Sequence, residues 1–155
     1  MEEKGYEVFV PEMPDTQHPK IAPWAGKLKE IIGEPKEDDI LIGHSIGCLA
    51  VLRFLQTLEN SKIEKVILIA PWHYLTLDEN EDPDIVKAWT ETPIDYKKIR
   101  SKADEFMAIF SDDDPWVPYK ENVEFFKEKL NPELITKHKM GHFNVAEIPF
   151  LPDLL

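Results

Sequence analysis

The chain holds 155 residues, 43% of them hydrophobic, which suits one domain with a buried core and leaves little room for two. Lys plus Arg number 18 against 30 Asp plus Glu, a net charge of −12, which argues against a surface built for nucleic acid or an anionic membrane, since both need clustered cations. One cysteine, Cys48, excludes an intrachain disulfide; no signal-peptide pattern opens the chain and no apolar run would span a bilayer, so a cytoplasmic location is the default expectation.

In chain order, Tyr6 to Val10 (YEVFV) is β-rich and stops at Pro11, so it predicts a first strand; Glu12 to Pro19 holds two prolines and predicts a loop. From Lys20 to Ile32 the apolar residues Ile21, Trp24, Ala25, Leu28, Ile31 and Ile32 recur at three- and four-residue spacing, one face of a helix closed by Gly33 and Pro35. Asp39 to His44 is a short apolar run and Ile46 to Leu58 reads as helix. Lys65 to Ala70 is a continuous β-branched run of the kind found in strands buried on both faces. Glu105 to Phe110 and Glu133 to His138 predict two further strands around an amphipathic stretch, Val117 to Leu130. Alternating strands and helices predict a three-layer α/β fold, with a mostly parallel sheet covered on both faces. Residues 71–102 are longer than a simple crossover; they hold an acidic stretch, Asp78 to Asp84, and a short helix near Ile85 to Trp89, and read as either a small lid or a surface excursion.

The segment Gly43-His44-Ser45-Ile46-Gly47 stands where a predicted strand turns into a predicted helix. A sharp strand-to-helix turn crowds the backbone, so side chains at Gly43 and Gly47 are expected to collide. Ser45 then projects clear of the sheet at a helix N-terminus, and the N–H of Ile46 is placed to stabilise an oxyanion. Cys48 lies one turn into an apolar helix and reads as a buried small residue. No Gly-Lys-Ser/Thr ending supports a phosphate loop.

A serine nucleophile needs a base, and the base needs an acid to orient it, in the chain order serine, acid, histidine for this kind of turn. Among five histidines, His18 precedes the serine, His44 adjoins it and is expected to point elsewhere, His73 follows a strand and His138 lies in one. His142 occupies the loop after the last strand, beside Gly141, at the edge where such sites assemble. After the preceding strand stand Asp112, Asp113 and Asp114, and spacing alone does not choose among them. No calcium-loop pattern follows, so no metal is expected; the aspartates not serving as the acid read as turn formers or caps.

These segments resemble the small serine hydrolases typified by retinoblastoma-binding protein 9 and the YdeN proteins, within the α/β-hydrolase superfamily. Residues 5–14 are similar to that family's second strand and its proline-rich exit, and Gly43 to Cys48 to its nucleophile turn. Trp89 and Pro93 to Tyr96 resemble its mid-chain segment, Ser111 to Pro118 its acid loop, and Gly141 to Asn144 its histidine loop. In the acid loop the family uses the aspartate directly before proline, so the resemblance selects Asp114. Family members open with a further strand, a His-Gly loop supplying a second oxyanion N–H, and a helix. This chain starts at what resembles the second strand, so the resemblance implies an N-terminally truncated form of the fold, with a degenerate relative or a homodimer that covers the gap as alternatives.

The expectation is a serine hydrolase without a cofactor. It would cleave small carboxylic esters, with amides as a further class, through an acyl-serine on Ser45 with His142 and Asp114 as partners. The alternative is a weakly active or inactive hydrolase scaffold that binds a partner. Trp72, His73, Trp89 and Trp116 are candidates to line an acyl pocket, although aromatic residues more often just pack.

Overall fold

The computed structural model describes residues 5–78 and 82–155. Four strands form one sheet in the order β1 (Ile40–His44), β2 (Ile63–Ile69), β3 (Ala103–Ser111), β4 (Glu133–Lys137), and every pairing is parallel. The helices are α1 (Ile21–Ile32), α2 (Ile46–Thr57), α3 (Pro83–Glu91), α4 (Tyr96–Arg100) and α5 (Tyr119–Leu130). His44 pairs with Ile69, Ile69 with Ile109 and Ser111 with Lys137, so the turns leaving β1, β3 and β4 open on one edge of the sheet. Parallel strands give that edge a common carboxyl end, where loops can meet.

Alternation along β2 and β3 separates two apolar clusters. Val66, Leu68, Ala108 and Phe110 face a cluster that takes in residues from all five α-helices, including Trp24, Leu52, Trp89, Ile99 and Phe126. Ile67, Ile69, Met107 and Ile109 face the other side, where Phe143, Phe150, Leu151 and Leu155 cover them. The second covering layer is therefore the C-terminal segment with its 3-10 turn at Leu151–Leu154, not an α-helix. Pro149 and Pro152 explain this: neither can join an α-helical hydrogen-bond ladder in its interior.

Helix α2 is buried from Cys48 through Leu55. Each fully buried leucine there contributes about 1.5–3 kcal/mol of apolar burial. Local chemistry sets the other helices. Gly33 (φ 63°) closes α1 and Asn131 (φ 49°) closes α5, both in backbone conformations that ordinary residues avoid. Asp82 accepts from the Asp84 N–H with Pro83 at the first turn of α3, and Asp95 accepts from the Lys98 N–H to start α4.

Within the 71–102 excursion, α3 and α4 are packed in place. Trp89 and Ile99 are both fully buried, and the guanidinium of Arg53 on α2 donates to the carbonyls of Trp89 (3.0 Å), Thr92 (2.5 Å) and Pro93 (2.6 Å). The acidic stretch Asp78 to Asp84 falls partly outside the described residues, because 79–81 are not among them.

Tyr6 to Val10 departs from expectation. The segment has no regular secondary structure and joins no ladder, and Phe9 (69%) and Val10 (89%) are largely exposed. β-branched and aromatic residues favour a pleated backbone, but a strand exists only where a second backbone accepts its hydrogen bonds. The chain is secured further on, where the indole N–H groups of Trp24 and Trp89 donate to the carbonyls of Pro14 (2.7 Å) and Pro19 (2.9 Å).

Candidate active site

Ser45 sits between β1 and α2 with φ 52° and ψ −125°. A non-glycine residue there costs on the order of 1–3 kcal/mol and persists only when its surroundings hold it. Here they do: the Ser45 N–H donates to the Ile69 carbonyl (2.9 Å), and the Ser45 carbonyl accepts from the Cys48 N–H (2.9 Å). Gly43 is required sterically, since a Cβ would come within 2.7 Å of the Cys48 backbone and 2.8 Å of the Gly47 carbonyl. Gly47 is not: a Cβ there meets nothing within 4 Å. The expected crowding therefore falls on one glycine of the pair, because β1 backs onto Cys48 while Gly47 faces open space.

Ser45 Oγ lies 2.9 Å from His142 Nε2, and His142 Nδ1 lies 2.7 Å from Asp114 Oδ2. The Asp114 side chain is 2% exposed and that of His142 is 9% exposed. An ionised carboxylate only accepts, so Nδ1 carries the proton toward Asp114. That leaves the Nε2 lone pair facing the Ser45 hydroxyl, the tautomer a general base needs. The other Asp114 oxygen accepts from the N–H groups of Trp116 and Val117, both at 3.0 Å, which fixes the carboxylate. Ile46 opens α2, where helix geometry gives its N–H no intrahelical acceptor.

The three consecutive aspartates serve separate ends. Asp112 meets His138 Nδ1 at 2.5 Å. Asp113 accepts from the Ser111 hydroxyl (2.7 Å) and the Gly141 N–H (2.9 Å), while Ser111 Oγ accepts from the Met140 N–H (3.0 Å). Only Asp114 reaches His142, so their side chains diverge and tie successive residues of the histidine loop. These contacts hold the carboxyls of Asp112 and Asp113 below the usual aspartate range, through the His138 bond in the first case and the Ser111 bond in the second.

His44 departs from expectation. Its ring does not point away; Nε2 lies 2.7 Å from the His142 carbonyl, and the two imidazoles are 5.0 Å apart. Of the four aromatic candidates, Trp116 is the one against the base, edge-on to the His142 ring at 5.1 Å. Trp72 and Trp89 lie in the core, and His73 stacks on Phe125 at 4.0 Å. Cys48 is fully buried, its thiol pKa raised by desolvation and its sulfur donating to the Ile69 carbonyl at 3.2 Å.

A serine on a strained strand-to-helix turn, joined through a histidine to a buried aspartate at the carboxyl edge of a parallel sheet, defines an α/β-hydrolase-like protein. The chain belongs to the serine hydrolase family, whose profile matches residues 7–148. It is 27% identical over 143 residues to the serine hydrolase RBBP9 of Rattus norvegicus, covering 92% of this chain and 73% of that protein. It is 25% identical over 155 residues to YdeN of Bacillus subtilis, covering 97% and 80%. The crystal structure of the B. subtilis ydeN product superposes with a TM-score of 0.85 at 24% identity, over 98% of this chain and 82% of that one. A structure from a study of carboxylesterases of Nitrososphaera gargenis shares the fold with a TM-score of 0.63 at 16% identity, over 92% and 72%. Among the described residues no helix is long and apolar enough to cross a membrane.

Proposed function

We propose that this serine hydrolase cleaves small carboxylic esters, with amides as a further class and Ser45, His142 and Asp114 as its catalytic triad. The continuous hydrogen-bonded line from Ser45 Oγ through His142 to the buried Asp114 carboxylate carries this reading. Ser45 Oγ attacks the carbonyl carbon while its proton passes to His142 Nε2. The resulting oxyanion is held by the Ile46 N–H at the start of α2. Collapse breaks the bond to the leaving group, which departs with the proton from His142 and leaves an acyl-serine. Water then repeats the sequence, releasing the acid and regenerating Ser45. Asp114 keeps His142 oriented and stabilises the imidazolium without taking the proton. No step calls on a cofactor. The 155 residues act as one catalytic unit, with the 71–102 excursion shaping the approach to Ser45; the Thr76 N–H, which donates to the main-chain carbonyl of Trp116 at 2.8 Å, supports this reading, since the Trp116 ring is edge-on to His142. The fold shared with the Nitrososphaera protein supports ester substrates.

The experiment is stopped-flow hydrolysis of p-nitrophenyl acetate and butyrate. A burst of one nitrophenolate per active site, lost in Ser45→Ala, is the expected result. Turnover that survives Ser45→Ala overturns the assignment; a folded wild type with no burst and no turnover favours a binding role on this scaffold.

A further inference from the structure

The residue before the nucleophile holds the base in place. We propose that His44 is a positioning residue that ties the His142 loop to the strand carrying Ser45, and so sets the Oγ to Nε2 approach. This inference rests on Ser45 and His142 being the working pair.

The loop around His142 closes on itself through the Phe143 N–H, which donates to the Met140 carbonyl (3.0 Å), and is otherwise held by bonds to other segments. Lys139 (φ 59°), Gly141 (φ 53°) and Phe143 (φ 54°) all adopt left-handed backbone conformations, so the base is flanked on both sides by reversals of the chain. Two of the three are not glycine, and such residues hold only when several contacts fix them. On the acid side the contacts are Asp112 and Asp113 to His138 and Gly141. These end before His142, and Asp114 holds only its ring. The described contact on the main chain of His142 itself comes from His44, at 2.7 Å to its carbonyl.

A carbonyl only accepts, so His44 Nε2 must be the donor. His44 directly precedes Ser45 and ends β1, whose Gly43 and His44 pair with Leu68 and Ile69. The bond therefore runs from the nucleophile's own strand to the base's own peptide, across 98 positions of sequence. Desolvation pulls the His44 pKa down although the residue keeps solvent contact, and the groups facing its ring are His142 and Asp114. A neutral ring suits the role, because a cation there would oppose the imidazolium that forms on His142.

The test uses two variants of the full chain. His44→Phe keeps a ring without the donor; His44→Gln keeps an N–H at similar reach without a titratable ring. His44→Phe is expected to lower kcat on p-nitrophenyl acetate by about 10–100-fold, the scale of a misplaced catalytic group. KM should stay within about twofold, since ground-state binding is untouched. His44→Gln is expected to recover most of that loss. Proton NMR of the His142 Nδ1–H gives a readout independent of turnover: broadened in the Phe variant, retained in the Gln variant. The inference is overturned if the Phe variant turns over like wild type, if Gln falls as far as Phe, or if the Nδ1–H signal is the same in the Phe variant as in wild type. A wild type that hydrolyses no ester removes the proposed function, and the NMR comparison then decides the role of His44 alone.

Discussion

The two sides of the active site are built to different standards. On the base side, successive residues of the loop after β4 are each tied: His138 to Asp112, Met140 to Ser111, Gly141 to Asp113, and His142 to Asp114 and His44. On the nucleophile side, β1 is an outer strand of the sheet, Ile46 and Gly47 are only half-buried, and a Cβ on Gly47 would meet open space. The proposed base is thus placed by many contacts, whereas the proposed oxyanion donor is the single N–H of Ile46 at the start of α2. Each of these ties, that of His44 included, is expected to contribute to orienting the base, whereas charge stabilisation in the proposed mechanism depends on a single contact.

The largest expected effects fall on the hydrogen-bonded line itself. Ser45→Ala or His142→Ala should lower kcat by about 10⁶, as loss of a nucleophile or base does when a triad acts as a unit. Asp114→Asn should cost about 10⁴ in kcat through the wrong tautomer of His142, with little change in melting temperature. A smaller loss at Asp114 would show that the base is oriented chiefly by its main-chain ties.

Asp113 tests those ties directly. Asp113→Ala should reduce kcat by about tenfold, since it frees Gly141 while leaving the Asp114 bond intact. Because its folded pKa lies below the ordinary aspartate value, its contribution is present above that ordinary value and is lost as pH falls through the lowered one. The Gly141 amide should therefore stay protected from hydrogen exchange at about pH 5 and lose protection only at stronger acidity. Loss of protection already near neutral pH would contradict the contact.

The two glycines of the turn sharpen the comparison further. Gly43→Ala should destabilise the fold by roughly 1–3 kcal/mol, the range for forcing an atom into a packed interior. Gly47→Ala should be neutral or stabilising by up to about 1 kcal/mol, because alanine is the better helix former and nothing opposes its methyl. Chemical denaturation of both variants reads the sign. The smallest effect is at Cys48, which should resist iodoacetamide in the folded protein and react on unfolding.

Much of this is legible in the sequence because it is local. The strand-to-helix turn at Ser45, the helices expected over Lys20 to Ile32 and Ile46 to Leu58 and found at Ile21–Ile32 and Ile46–Thr57, and the β-branched run Lys65 to Ala70, found within and just after the strand Ile63–Ile69, each follow from spacing and residue type within a dozen positions. His142 is legible as a histidine after the last strand, and Asp114 only through likeness to a family. Contacts across the chain are not legible. Nothing near His44 signals that its ring donates to residue 142, and three adjacent aspartates give no sign of which loop residue each will hold. Tyr6 to Val10 shows the same limit from the other side: strand propensity is written in the segment, but a pairing partner is not. Gly47 fits the motif on paper, yet the space beside it depends on what packs against α2.

The most direct test of the central claim is labelling of the purified chain with a fluorophosphonate, followed by peptide mass spectrometry, with Ser45→Ala and Asp114→Asn alongside. The account predicts a single adduct on Ser45, absent in the first variant and much slower to form in the second. An adduct on another residue, or none on a chain shown to be folded, would contradict an assembled Ser45–His142–Asp114 site.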